Sequence, residues 1–211
     1  MLLLDGETRT KVYSFKDKVT GLLFGDGGSA TIVEKIDDDN PKYFSLNSDG
    51  AGSRIIWIKG GGYRHPSSAE TLRAKEHEDG SIRSDEQVVV DMAGFFDFAI
   101  REIPADMESI FKYAGEDCEA IDFFLFHQAA KFINDQIAKK IKIPKEKIPY
   151  SMHKFGNTSS VSIPLTMISE IRDQLRQAKT RLFMSGFGAG LSWASAITSF
   201  DRCVIPKLVE I

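Results

Sequence analysis

Residues Phe123-Phe124-Leu125-Phe126 form an apolar run of strand length that ends on His127, and the chain then changes period. Phe132, Ile133, Ile137, Ala138 and Ile141 recur at helical spacing as far as Pro144, so a buried strand leads directly into a helix. A strand that is apolar on both faces belongs inside an α/β sheet. His127 then falls at the C-terminal end of that strand, the edge where such sheets bind ligands. A histidine there can equally be a packed, hydrogen-bonded residue, so neighbouring features must decide.

Two other stretches point to the same edge. Phe155-Gly156-Asn157-Thr158-Ser159-Ser160 reads as a strand-to-helix turn, and Ser185-Gly186-Phe187-Gly188-Ala189-Gly190-Leu191-Ser192-Trp193 as a glycine-rich turn between two apolar strands. An imidazole, a carboxamide and bare backbone N–H groups are the donors that stabilise negative charge developing on a carbonyl oxygen.

Around these stretches the chain reads as follows. Gly21–Phe24 and Ala30–Glu34 flank Gly25-Asp26-Gly27-Gly28, a turn suited to a hairpin. No P-loop is present, because Lys-Ser/Thr is missing and a strand follows. The acidic stretch Asp37-Asp38-Asp39-Asn40-Pro41 opens an irregular region over 36–85, with strands predicted at Tyr43–Leu46 and Ile55–Ile58 and a charged surface loop over Tyr63–Asp85. Glu76, His77, Glu78 and Asp79 are sequence neighbours and do not converge on an ion, so no metal site is expected. Val88–Val90 is a short strand, and Phe95, Phe98, Ala99, Ile103, Met107, Ile110 and Phe111 mark a helix that Pro104 should kink or break. A helix with Val161, Leu165, Ile168, Ile171 and Leu175 on one face follows Asn157, and Arg181–Ser185 and Leu191–Phe200 close the chain as strands. The alternation predicts α/β with a mixed sheet and helices on its faces.

The 211 residues, 42% of them hydrophobic, suffice for one core. A net charge of −3 gives no ground for a nucleic acid or anionic membrane partner. No apolar run approaches the roughly 20 residues that span a bilayer, and Met1-Leu2-Leu3-Leu4 lacks the features of a signal peptide, so a cytoplasmic location is expected. Two cysteines make no disulfide framework. Cys118 stands among Glu116, Asp117 and Glu119, which raise a thiol pKa, and Cys203 lies in a tail beside Asp201 and Arg202, so neither is expected to be a nucleophile.

His127-Gln128-Ala129, Gly156-Asn157-Thr158-Ser159 and the glycine-rich loop before Trp193 resemble, in order and separation, motifs of the 3-oxoacyl-acyl-carrier-protein synthase III branch of the thiolase-like condensing enzymes. Phe24-Gly25-Asp26-Gly27-Gly28-Ser29-Ala30 is similar to that family's Gly-Asp-Gly-Ala turn, and Asp91-Met92-Ala93-Gly94 to the Met-x-Gly that opens its pocket helix. The resemblance implies decarboxylative Claisen condensation of an acyl thioester with malonyl-carrier protein in fatty-acid-type biosynthesis. It implies no resident cofactor, with coenzyme A and carrier-protein thioesters as substrates. By the same likeness His127 and Asn157 are the catalytic donors. Gly188, Ala189 and Gly190 offer backbone to a second oxyanion, with the Ala189 N–H the expected donor. Phe98 and Phe187 line an acyl tunnel. Lys131, Lys139 and Lys140 form a landing site for acidic acyl carrier protein, although Ala130 and Phe132 stand where the family often has Asn and Arg. The alternative for a lysine-rich helix end is a solvated face that meets the helix dipole.

The family's nucleophilic cysteine lies upstream of every motif present. The expectation is therefore a single C-terminal thiolase-like domain over 1–211, with 1–20 a remnant of a preceding half and its linker, inactive in condensation by itself. It would be a truncated synthase, the associate of a separate N-terminal half, or a non-catalytic binding or scaffolding domain. Such a half should expose an apolar face, at the helix near Thr158 and the helix over Phe95–Phe111, and cover it with a partner half or in a homodimer.

Overall fold

The structure, a computed structural model, describes residues 1–35 and 41–210; the acidic stretch 37–40 lies outside them. At its centre is a four-stranded mixed sheet ordered β3-β10-β9-β8, built from β3 (Tyr43–Ser48), β8 (Phe123–Phe126), β9 (Thr180–Gly188) and β10 (Ser192–Phe200). The β8–β9 pair is parallel, with Phe126 opposite Ser185, and the other pairs are antiparallel.

Strand alternation sorts the core into two layers. Phe124 and Phe126 of β8 join Phe183 and Phe187 of β9 on one face, where they pack against the 23-residue α1 (Met92–Ala114) and against α2 (Lys131–Lys140). Leu125 and Leu182 point the opposite way, into a smaller cluster with Ile171 and Leu175, beside α4 (Ser162–Glu170) and α5 (Arg172–Gln177). The helix expected from Thr158 onward is thus a 3-10 turn at Ser159–Val161, then α4, then α5.

Helix α1 starts on Asp91, whose carboxylate accepts from the N–H groups of Ala93 (3.1 Å) and Gly94 (3.0 Å). It ends at Gly115, whose φ of +67° is the left-handed stop that glycine adopts without strain. The break expected at Pro104 does not occur. Proline has no N–H for the carbonyl four residues back, and that carbonyl, of Ile100, accepts instead from Lys140 Nζ of α2 at 2.9 Å. The buried Asp106 fastens α1 to the sheet by accepting from Ser45, from Asn47 Nδ2 (2.8 Å) and from Ser195 Oγ (2.5 Å).

The hairpin expected around Gly25–Gly28 is not formed. Gly27–Ile32 is a strand, β2, but it pairs antiparallel with β1 (Leu2–Glu7). Leu2–Glu7, within the segment 1–20 expected as a remnant and linker, thus forms a strand paired with Gly27–Ile32. Phe24 makes a lone parallel bridge to Asn157. A Cβ on Gly25 would sit 2.1 Å from the Phe155 carbonyl oxygen, so this glycine permits close backbone approach between two loops. Two short antiparallel pairs, β4 (Ile56–Ile58) with β7 (Val88–Val90) and β5 (Lys75–Glu76) with β6 (Ile82–Arg83), form separate two-stranded sheets.

The helices α1 and α4 were expected to present the exposed apolar face; instead Phe95, Phe98, Ile103, Met107, Ile110 and Phe111 of α1 are buried in the core, and on α4 Leu165 is buried while Ile163, Met167 and Ile168 are half-buried. Exposed apolar side chains group on strands at Leu2, Leu3, Leu4 and Ile32 of the β1–β2 pair and at Phe44 and Leu46 of β3, and occur singly elsewhere, as at Tyr113 of α1 and Phe132 of α2. Among the described residues no helix is long and apolar enough to cross a membrane, and no group of three or more His, Cys, Asp and Glu is placed to hold a metal ion.

Candidate active site

At the C-terminal ends of β8 and β9 lies a cavity of about 320 Å³, lined by His127, Asn157, Phe187, Gly188 and Ala189 together with Arg9, Tyr13, Phe24, Phe95, Ser159, Ser162 and further apolar residues. The imidazole, the carboxamide and the strand-end backbone therefore meet in one space.

His127 is placed by its own main chain. Its N–H donates to the Ser185 carbonyl at 2.8 Å, and its carbonyl accepts from Ala129 N (2.9 Å) and Asn134 Nδ2 (3.0 Å). The fully buried Gln128 next to it donates Nε2–H to the Phe126 carbonyl at 2.9 Å and accepts from Ser151 N at 3.1 Å. That amide ties the strand end to the segment leading to Asn157, which gives His-Gln-Ala a mechanical meaning. The imidazole meets Phe187 edge-on at 5.5 Å, and its Nδ1 lies 2.8 Å from Ser162 Oγ.

Asn157 is held by backbone on both sides: its N–H donates to the Leu23 carbonyl (2.8 Å) and its carbonyl accepts from Gly25 N (3.0 Å). Its side-chain Oδ1 accepts from Ser159 N at 2.9 Å. A backbone N–H can only donate, so the amide oxygen is fixed there and the two Nδ2 hydrogens remain for the cavity. Ser159 reaches this place at φ +54°, a left-handed conformation unusual for serine.

Burial holds the His127 pKa down to about 4, with a hydrogen bond to the Ser159 backbone opposing the shift and the charge of Arg9 adding to it. The ring is therefore neutral at pH 7 and acts there as an N–H donor, not as a cation. The linkage to stability has a definite sign. The unfolded chain takes up this proton near pH 6.5 and the folded chain only near 4, so stability is full above about 6.5 and falls as pH drops toward 4. Chemical denaturation at pH 7 and pH 4.5 should show His127→Gln losing less than wild type, by up to about 3 kcal/mol. Equal losses in both proteins would contradict an imidazole held neutral by the fold.

Not every expected residue reaches the site. Phe98 lies in the core, only 2% exposed, with its ring edge against Trp193 at 5.4 Å. Phe95, one turn earlier on α1, is the α1 aromatic that lines the cavity, and it stacks toward Phe187 at 6.1 Å. Gly190 is also off the cavity. Its φ of +142° serves the β9–β10 turn, where a Cβ would come 2.4 Å from Ser192 Oγ. Of the three lysines, Lys131 is paired with Asp135 at 2.6 Å and lies over the Tyr150 ring, and Lys140 is spent on Ile100. Lys139 alone of the three has no side-chain partner among the described residues. His153 is exposed and outside the site. Neither Cys118 nor Cys203 lines the cavity, and burial raises the pKa of both thiols.

Arg9, Tyr13 and Ser162 are site residues that the sequence did not announce. Arg9 is paired with Glu7 at 2.9 Å. Tyr13 stacks on Phe24 with centroids 3.7 Å apart, and its burial pushes the phenol pKa up to about 12.

The chain is similar to known proteins in sequence and in fold. Residues 111–200 match the family described as 3-oxoacyl-[acyl-carrier-protein (ACP)] synthase III C terminal. The beta-ketoacyl-[acyl-carrier-protein] synthase III of a Synechococcus strain is 32% identical over 196 residues, 93% of this chain and 56% of that protein. Its counterpart in Streptococcus equi subsp. zooepidemicus is 33% identical over 198 residues, 93% of this chain and 58% of the relative. A solved 3-oxoacyl-(acyl-carrier protein) synthase from Burkholderia xenovorans superposes with a TM-score of 0.88 at 35% identity, covering 98% of this chain and 57% of that one. The chain thus spans little more than half the length of these relatives.

Proposed function

Since this chain belongs, through residues 111–200, to the family of 3-oxoacyl-[acyl-carrier-protein] synthase III C-terminal domains and shares the thiolase-like α/β fold of the solved synthases, we propose that its cavity is the decarboxylation and condensation site of such an enzyme. The observation that carries this reading is the meeting of His127, Asn157 and the Gly188-Ala189 backbone on one cavity. A purely scaffolding α/β module has no need for these donors to converge.

In the proposed reaction a malonyl thioester on acyl carrier protein places its carbonyl oxygen against the His127 Nε2–H and the Asn157 Nδ2–H. The bond from Cα to the carboxylate breaks, carbon dioxide departs, and the electron pair becomes an enolate whose oxygen charge the two donors stabilise. The enolate carbon then attacks the carbonyl of an acyl thioester. A carbon–carbon bond forms, the carbon–sulfur bond breaks, and the thiolate leaves. Ala189 N–H is the proposed donor to the second oxyanion. A neutral imidazole suits the role, because the enolate keeps its negative charge and takes only a hydrogen bond.

The acyl group is carried by a thiol from outside the described cavity, in the proposal a cysteine on a further polypeptide segment or partner half. The exposed apolar strands β1, β2 and β3 are the proposed contact face for that half or for a second copy. Acyl-coenzyme A is the proposed acyl donor, acyl carrier protein docks with Lys139 in reach, and the reaction runs in the cytoplasm.

Release of labelled carbon dioxide from malonyl-carrier protein tests the proposal in the assembly that supplies the acyl thiol. Release should survive joint replacement of Cys118 and Cys203 by Ala and collapse when His127 and Asn157 are replaced together. Undiminished release from the latter variant would sink the reading.

A further inference from the structure

A neutral imidazole carries one N–H, and which nitrogen holds it decides what His127 offers the cavity. With the proton on Nε2 the ring can donate to a developing enolate. With it on Nδ1, the Nε2 lone pair would face that same negative charge and repel it. The fold therefore needs a group that selects between the two forms.

Ser162 is in position to do so. It is the first residue of α4 and is 1% exposed, with its Oγ 2.8 Å from His127 Nδ1. The same Oγ accepts from the backbone N–H of Gln128 at 3.3 Å. A serine hydroxyl has one proton to give, and among the described residues Nδ1 is the hydrogen-bond partner toward which it can be given. The helix turn that carries it is itself tied down. The Ser162 carbonyl accepts from Thr166 Oγ1 at 2.7 Å, and Thr166 Oγ1 lies 2.7 Å from Ser151 Oγ. Ser151 N in turn donates to Gln128 Oε1 at 3.1 Å. The network closes on the residue next to His127, so hydroxyl and ring are set by one connected frame.

We propose that Ser162 is a positioning residue: its hydroxyl donates to His127 Nδ1 and holds the ring as the Nε2–H tautomer facing the cavity. The catalytic consequence rests on the function proposed above; the tautomer assignment does not. A residue that merely satisfied a buried polar pair would tolerate either proton arrangement, whereas a tautomer selector imposes one.

The test is nitrogen NMR of the protein labelled with 15N in its histidine rings, near pH 7. His127 should show a protonated Nε2 and a hydrogen-bonded, unprotonated Nδ1. Ser162→Ala should move the Nδ1 resonance to that of a lone pair without a donor, and Ser162→Thr, which keeps a hydroxyl, should return it. In the complete condensing assembly Ser162→Ala should lower kcat by about tenfold to a hundredfold with KM little changed, again with recovery in the Thr variant. A wild-type ring protonated on Nδ1, or an Nδ1 resonance that Ser162→Ala leaves in place, would overturn the proposal. If the Ala variant fails to fold, the wild-type and Thr spectra decide alone. Should condensation prove indifferent to His127 while the spectra behave as stated, the enzymatic reading falls and the tautomer assignment stands.

Discussion

Replacing His127 by Ala should lower kcat for condensation by about 10²- to 10³-fold while leaving KM for malonyl-carrier protein nearly unchanged. Loss of one preorganised oxyanion donor costs that much where the donor works in a site shielded from water. The hydrogen bond is worth most when charge has moved onto the oxygen, so its removal falls on kcat and not on ground-state binding. Asn157→Ala should behave alike, because its Oδ1 is already engaged by Ser159 N and its Nδ2 is the group left to act. Asn157→Asp should be worse than either, since an ionised carboxylate puts negative charge where the enolate forms. The double variant should fall short of the product of the single losses, for two donors to one oxygen act as a unit. Steady-state kinetics in the thiol-bearing assembly read this directly. Single variants that stay within about tenfold of wild type, some 1.4 kcal/mol, would remove both residues from the reaction.

The largest effect on stability is expected at Phe183. Its ring is fully buried on β9, with the rings of Phe111, Phe124 and Phe126 at 5.6, 5.8 and 6.0 Å. Truncation to Ala leaves a cavity between α1 and two adjacent strands, and such changes cost about 3–5 kcal/mol, much of the roughly 5–15 kcal/mol that holds a domain folded. Phe132 is the internal control. Its ring also stacks on a neighbour, Phe96, at 5.4 Å, but it is 61% exposed, and its truncation should cost under about 1 kcal/mol. Urea midpoints at constant slope measure both. A Phe183→Ala protein as stable as Phe132→Ala would mean that the aromatic layer is not the centre of the core.

The sheet and its two helical layers were legible because alternation is a local property: Phe124, Leu125 and Phe126 sort to opposite faces whatever lies far away. That His127 and Asn157 share one cavity was legible for a related reason, since each sits where an apolar run or a glycine turn stops. What stayed hidden depended on distant chain. Phe95 and Phe98 share one helical period, and only the position of Trp193 on β10 decides which reaches the cavity. The Gly25 turn carries hairpin chemistry, yet its glycine is required by the Phe155 carbonyl, more than a hundred residues on. Arg9 and Tyr13 approach from a segment without period, so nothing local marked them. Ser162 is one serine among several after Asn157, set apart only by the ring it meets.

The partnership of Pro104 with Lys140 makes the chemistry of one helix depend on a side chain of its neighbour. A chain with any other residue at 104 regains the N–H that its own helix supplies to Ile100 and releases the lysine on the neighbouring helix. A chain that loses the lysine instead hands the Ile100 carbonyl to solvent, because the contact lies at the surface. The coupling therefore runs in one direction: the proline gives the lysine its partner on α1, whereas α1 can meet the loss of the lysine with water.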